Sequence, residues 1–195
     1  MSFTDMNFPL FLTWLRIIAI PLFVAVLYLP EDWISEHNAN VTSMWIFIAA
    51  AVTDWLDGYL ARRWNQTTSF GAFLDPVADK LMVAAALIVL TEKGLVDPFV
   101  SLIIIGREIT ISALREWMAQ IGQSKSVAVN ILGKVKTVSQ LVAIPFLLFN
   151  DVLFGWFHTV NVGRGLIWVA AIITLWSMGV YLKAAWAVER PGKGD

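Results

Sequence analysis

Apolar residues along this chain fall into six long runs separated by short polar breaks. The runs cover residues 8–29, 41–62, 70–91, 98–121, 126–149 and 163–187. Each approaches the length of about 20 residues that a helix needs to cross the hydrocarbon core of a bilayer. The pattern predicts an all-α integral membrane bundle of six transmembrane helices. The breaks differ in character. EDWISEHNAN at 31–40 is acidic and turn-like, and RRWNQTTS at 62–69 is basic and polar. TEKGLVDP at 91–98 carries Gly and Pro, and GQSKS at 122–126 is small and polar. NDVLFGWFHTVNVGRG at 150–165 is longer and rich in turn residues. A single membrane domain over 1–188 with a polar tail at 189–195 is expected. The first run has Arg16 in its middle and no small-residue cleavage site, so it reads as a retained span. No internal repeat or low-complexity linker interrupts the pattern.

Composition strengthens this reading. Hydrophobic residues make up 58% of the chain, above the roughly 45–50% of soluble domains. A net charge of −1 says nothing about nucleic acid, but the lack of a basic patch with interleaved aromatics argues against a nucleic-acid partner. The absence of cysteine excludes disulfides, thiolate metal sites and cysteine nucleophiles. The many tryptophans, among them Trp14, Trp117 and Trp186, suit membrane–water interfaces and need no chemical role. In a six-span arrangement Arg62, Arg63, Lys125, Lys183, Arg190 and Lys193 share one side, and only Lys93 and Arg164 lie on the other. Positive charge favours cytoplasmic loops, which predicts both termini cytoplasmic. His37 and His158 then fall on the far side, as ordinary loop residues.

One feature fits poorly with a chain built for lipid. Asp54 and Asp57 lie near the cytoplasmic end of the second run, and Asp75 and Asp79 near the start of the third. A hairpin between the runs brings all four to one depth. Asp54, Asp57, Gly58 and Ala61 follow i, i+3, i+4, i+7 and share a helical face. Gly71, Asp75 and Asp79 follow i, i+4, i+8 and share another, provided the helix starts near Ser69 and carries Pro76 within it. The alternative, a helix beginning at Pro76 with Asp75 as cap, would remove Gly71 from that face. Ionisable residues in spans are costly and usually functional. Clustered carboxylates either protonate or bind cations, and an all-oxygen donor set suits Mg²⁺, Mn²⁺ or Ca²⁺. Two such ions about 3.5–4 Å apart would form a clamp for phosphoryl transfer. Helix capping and pairing with Arg62, Arg63 or Lys80 is the plainer reading, and a cation-transport site is another.

The same residues carry a signature. DWLDGYLAR, eight residues, then GAFLDPVAD matches D-x2-D-G-x2-A-R-x8-G-x3-D-x3-D at every fixed position. This resembles the CDP-alcohol phosphotransferase family, whose six-span layout also agrees. NFPLFLTWLR, REITISALREWMA and GKVKT resemble the bacterial branch of that family that uses sn-glycerol 3-phosphate as acceptor, which extends the similarity over most of the chain. The resemblance implies transfer of the phosphatidyl group of CDP-diacylglycerol to sn-glycerol 3-phosphate, giving phosphatidylglycerophosphate and CMP. It implies two divalent ions, Mg²⁺ or Mn²⁺, on Asp54, Asp57 and Asp75, with Asp79 as metal-adjacent general base. It places Gly58, Ala61 and Gly71 along the nucleotide pocket, Arg62 at a CDP phosphate, and Thr13 and Arg16 close to the nucleotide. Snorkelling of Arg16 to lipid headgroups is the competing reading. A bacterial inner membrane, an active site on its cytoplasmic side and a homodimer are further implications.

The acceptor is argued from other residues. Glycerol 3-phosphate is a dianion, and Arg107 and Arg115 lie eight residues apart on one helix, nearly aligned, beside Glu108 and Ser112. Lys134 and Lys136 open the fifth run about 200° apart, so they cannot both face one pocket. Pairing of the arginines with Glu108, Glu116 or the aspartates is the bland alternative. Uncharged acceptors such as serine or inositol would need fewer fixed cations, whereas inositol phosphate would suit them equally. A small cation transporter predicts ion flux without CDP-lipid. A structural protein with an ion-stabilised hairpin predicts no effect of Asp79→Asn.

Overall fold

The computed structural model describes residues 8–64, 69–122 and 131–189. Among them lie six α-helices: α1 Phe8–Leu27, α2 Glu36–Arg63, α3 Ser69–Glu92, α4 Pro98–Gln120, α5 Ile131–Phe149 and α6 Thr159–Glu189. A two-residue antiparallel ribbon, β1 Val152–Leu153 and β2 Phe157–His158, sits between α5 and α6, with Val152 opposite His158 and Leu153 opposite Phe157.

Every expected apolar run contains a helix, and the differences lie at the ends. The 31–40 break is only partly a loop, because α2 already begins at Glu36. Ser35 is extended there and its side chain accepts from the Asn38 N–H at 3.4 Å, a cap that lets the polar residues after it join the helix. The 150–165 break holds the ribbon and the first turns of α6. Asn150 and Phe154 take positive φ, as does Gly155, which turns the chain tightly. Thr159 Oγ1 accepts from the Asp151 N–H at 3.2 Å and donates to the Asp151 carbonyl at 2.8 Å, which closes the loop. α3 begins at Ser69 with Pro76 inside it, the register that keeps Gly71 with the aspartates. The expected start of the fifth run at 126–130 and the tail at 190–195 lie outside the described residues.

Three helices are long and apolar enough to cross a membrane, over Leu10–Leu27, Glu36–Leu60 and Thr159–Lys183, and α5 has a shorter apolar part, Val135–Phe149. α3 and α4 fall short of that measure because Asp75, Asp79 and Lys80 interrupt one, and Arg107, Glu108, Arg115 and Glu116 the other. The outer surface is apolar all round, with Ile18, Val52, Ile88, Ile109 and Ile172 exposed on five different helices. Water-soluble monomers rarely present so much contiguous apolar surface, whereas lipid would cover it. Inside, α5 packs most extensively on α6 and α1 on α2, with α4 on the other flank of α6. Phe23, Phe47, Leu87, Leu90, Ile104, Ile144 and Leu147 form the centre of the core. This apolar core reaches up to the aspartates, where Phe47 and Met82 share a slit with Asp54 and Asp79, and extends toward the opposite end of the bundle. At that same end Arg164 donates to the Gly94 and Leu95 carbonyls, and His37 Nδ1 meets Asp151 Oδ2 at 3.0 Å. Both groups are thereby occupied in tying loops together.

Candidate active site

The polar end of the bundle is assembled from α1, α2 and α3. Thr13 and Arg16 are three residues apart, one turn of α1, and both are buried. Thr13 Oγ1 donates to Asp75 Oδ1 at 2.5 Å. Arg16 Nη1 lies 2.5 Å from Asp54 Oδ1, and Nη2 donates to Asp57 Oδ2. Asp57 is buried, so its ionised form depends on that guanidinium. Thr13 and Arg16 were expected beside a nucleotide or lipid headgroups; they grip three of the four aspartates. Gly71 is buried on the same face of α3, and Gly58 is half-buried on α2. The side chains of Ala61, Arg62 and Lys134 lie outside the described set.

Asp79 differs from the other three. It makes no hydrogen bond or ion pair among the described residues, yet it lies in the field of Arg16, Lys80 and Lys136. It lines two cavities. One is a slit of about 10 Å³ that it shares with Arg16, Asp54, Met82 and Leu141. The other, of about 180 Å³, is lined by Lys80, Arg107, Glu108, Arg115, Lys136 and Gln140, with Tyr181 on its wall. Asp79 thus stands between the acidic cluster and a chamber holding four cationic side chains.

The chamber brings together Arg107, Arg115 and Lys136, drawn from α4 and α5. Arg107 is buried and donates to Glu108 Oε1 at 3.2 Å and Ser177 Oγ at 3.1 Å. Lys136, also buried, donates to the same Glu108 oxygen. Arg115 Nη2 donates to the Tyr181 hydroxyl at 3.3 Å, and both arginines lie over the Tyr181 ring. Pairing with Glu108 therefore holds for Arg107, and this pairing fixes its guanidinium at the chamber wall. Lys136 lines the chamber, and the side chain of its neighbour Lys134 lies outside the described set. Sequence reasoning missed Lys80, Gln140 and Tyr181 as lining residues. Lys80 follows Asp79 directly and donates to Ser112, and Gln140 is one turn beyond Lys136; both were legible by spacing. Tyr181 comes from the far end of α6 and had no local signal.

The four aspartates supply oxygen donors only, which is the chemistry of a hard divalent cation. The positive charge among them in this structure is the Arg16 guanidinium, set between Asp54 and Asp57. One guanidinium leaves the four carboxylates short of positive charge, so the donor set fits added cations. Among the described residues no three carboxylates converge on one point, so the fit is one of chemistry and charge.

An acidic cluster and a cationic chamber thus meet at Asp79, which makes no hydrogen bond or ion pair among the described residues. The chain belongs to the CDP-alcohol phosphatidyltransferase family, whose model matches residues 6–179. It is 52% identical over 183 residues to the CDP-diacylglycerol--glycerol-3-phosphate 3-phosphatidyltransferase of Salmonella typhimurium, covering 92% of this chain and 94% of that protein. The proteins of that name from Shigella flexneri and Escherichia coli strain K12 are 52% and 51% identical with the same coverage.

Proposed function

We propose that this protein transfers the phosphatidyl group of CDP-diacylglycerol to sn-glycerol 3-phosphate, giving phosphatidylglycerophosphate and CMP. The observation that carries this reading is Asp79, a carboxylate with no hydrogen bond or ion pair among the described residues, on the wall of both a slit beside the aspartate cluster and a chamber rich in cationic side chains. The names of the relatives agree with it.

In this mechanism the diphosphate of the CDP-lipid lies against Asp54, Asp57 and Asp75. Two divalent cations, Mg²⁺ or Mn²⁺, held there with Asp79 alongside, would neutralise the diphosphate oxygens and the departing CMP. Thr13 and Arg16 hold the carboxylates in place for that task. Gly58, Ala61 and Gly71 leave room for the nucleotide, and Arg62 meets a CDP phosphate. Arg107, Arg115 and Lys136, with Lys80 and Lys134, bind the phosphate of the acceptor and turn its terminal hydroxyl toward Asp79. The hydroxyl oxygen bonds to the phosphatidyl phosphorus as its proton passes to an Asp79 oxygen. The bond from that phosphorus to the oxygen of CMP breaks. A carboxylate is a weak base for an alcohol, so proton transfer accompanies bond formation and does not precede it.

The remaining charged helices α3 and α4 complete a six-span domain over 1–188, with its charged residues facing the site and its termini cytoplasmic. The protein works in a bacterial inner membrane from the cytoplasmic side, as a homodimer. The acyl chains of the donor stay in lipid while the cytidine stays in water.

The test is CMP release by purified protein in detergent with CDP-diacylglycerol and Mg²⁺. Glycerol 3-phosphate, inositol phosphate, inositol and serine are supplied separately. Release with glycerol 3-phosphate alone, abolished by chelation and restored by Mg²⁺ or Mn²⁺, is the expected result. Asp79→Asn is expected to lower the rate by about 10²–10⁴-fold, the usual contribution of a general base. Release with a different acceptor would overturn the substrate. Ion flux in liposomes without CMP release would overturn the reaction.

A further inference from the structure

Four cations account for an acceptor's phosphate, but a phosphate site alone does not tell one phosphorylated alcohol from another. Most charged groups lining the chamber are already engaged: Lys80 with Ser112, Lys136 with Glu108, and Arg115 with Tyr181. Two buried donors on its wall have no hydrogen-bond partner among the described residues, Arg107 Nε and the side-chain amide nitrogen of Gln140. One is charged and one is neutral. Gln140 is only 4% exposed, and a buried amide donor without a partner is costly to maintain. A ligand that accepts its hydrogen bond would relieve that cost.

Resting on the acceptor proposed above, we infer that Gln140 is a specificity-determining residue, whose amide recognises the non-reacting hydroxyl of glycerol 3-phosphate. Its position suits this role. Gln140 is one turn from Lys136 on the same face of α5, and the two side chains meet the chamber about 6 Å apart along the helix. A short phosphorylated polyol held at Lys136 and Arg115 places a middle hydroxyl beside Gln140 and a terminal one beside Asp79. A neutral amide also suits the task better than another cation, because it reads a hydroxyl without attracting a second anion. A site built to bond a hydroxyl rejects the analogue that lacks it, because the buried partner is then left unsatisfied.

The experiment compares kcat/KM for sn-glycerol 3-phosphate with that for 3-hydroxypropyl phosphate, which has the same terminal hydroxyl and phosphate and lacks the middle hydroxyl. The unaltered protein is expected to prefer glycerol 3-phosphate at least about tenfold. Gln140→Met, similar in length and without a donor, is expected to lose about tenfold on glycerol 3-phosphate and little on the deoxy acceptor, so the preference collapses. Activity retained on the deoxy acceptor shows that the variant is folded, and a purely structural role would lower both rates together. Equal losses on both acceptors, or a preserved preference, would overturn the inference. Should the variant not fold, the unaltered protein still decides, since equal use of both acceptors sinks the idea. Failure of the acceptor reading itself looks different, with no CMP release from either compound and release from another alcohol.

Discussion

Arg16 shows what a single side chain does at this site. Its buried guanidinium spans Asp54 on one nitrogen and Asp57 on the other, so this one α1 side chain is the internal counter-charge of two α2 carboxylates at once. Removing one partner of a buried pair leaves the other as an uncompensated charge. Arg16→Met is therefore expected to destabilise the folded protein by about 3–5 kcal/mol, read as a lower unfolding midpoint in detergent. Arg16→Lys keeps the charge but lacks the planar fork that reaches two carboxylates, and should recover only part of the loss. Combining Arg16→Met with Asp57→Asn should cost less than the sum of the two, because neither charge is then stranded. Strict additivity would show that the pair is not coupled. The aspartates were legible from spacing alone, since i, i+3 and i, i+4 relations survive any uncertainty about helix ends. That Arg16 and Thr13 would reach them was not, because contact between residues so far apart in the chain depends on how α1 crosses α2 and α3.

At the level of elements, the apolar pattern located all six helices, and it failed where polarity and conformation part company. Glu36, His37, Asn38 and Asn40 look like a loop by composition, yet a serine cap makes them helix. The turn-rich break at 150–165 is a connection as expected, but it holds a short ribbon, turned by Phe154 and Gly155 at positive φ, and α6 already begins within it at Thr159. α5 and α6 meet closely at Gly163. A Cβ there would stand 2.6 Å from Leu147 Cγ and 3.1 Å from the Ala143 carbonyl oxygen. Gly163→Val is expected to cost about 1–3 kcal/mol through overpacking, with partial recovery when Leu147→Ala makes space. An unchanged unfolding midpoint would mean that the two helices separate there at little cost. Because Gln140 and Lys136 ride on α5, the same substitution should also weaken use of the acceptor.

Across the whole molecule the bundle is divided by depth. An apolar core around Phe23, Phe47 and Leu147 reaches from the slit beside the aspartates toward one end. The other end gathers Arg16, the four aspartates, Lys80, Arg107, Glu108, Arg115 and Lys136 into adjoining clusters. An outward face that is apolar on all sides leaves that charged end as the natural entry for water-soluble substrates, while a lipid substrate approaches from the side. The cysteine-free sequence makes this arrangement easy to map, because single cysteines placed at Lys93 and Lys183 are expected to react with a membrane-impermeant reagent from opposite sides. Labelling of both from the same side would overturn the six-span layout.

The position of Asp79 on the partition between two chambers also bears on the order of events. Among the described residues Asp54, Asp57 and Asp75 already contact Arg16 and Thr13, and in the mechanism proposed above Asp79 receives a proton, so that mechanism assigns none of the four to carry the phosphatidyl group as a covalent adduct. That proposal has donor and acceptor bound together before either product forms. Radiolabelled CMP should accordingly not exchange into CDP-diacylglycerol until the acceptor, or its phosphatidyl product, is added. Initial rates at varied concentrations of both substrates should give intersecting rather than parallel reciprocal plots.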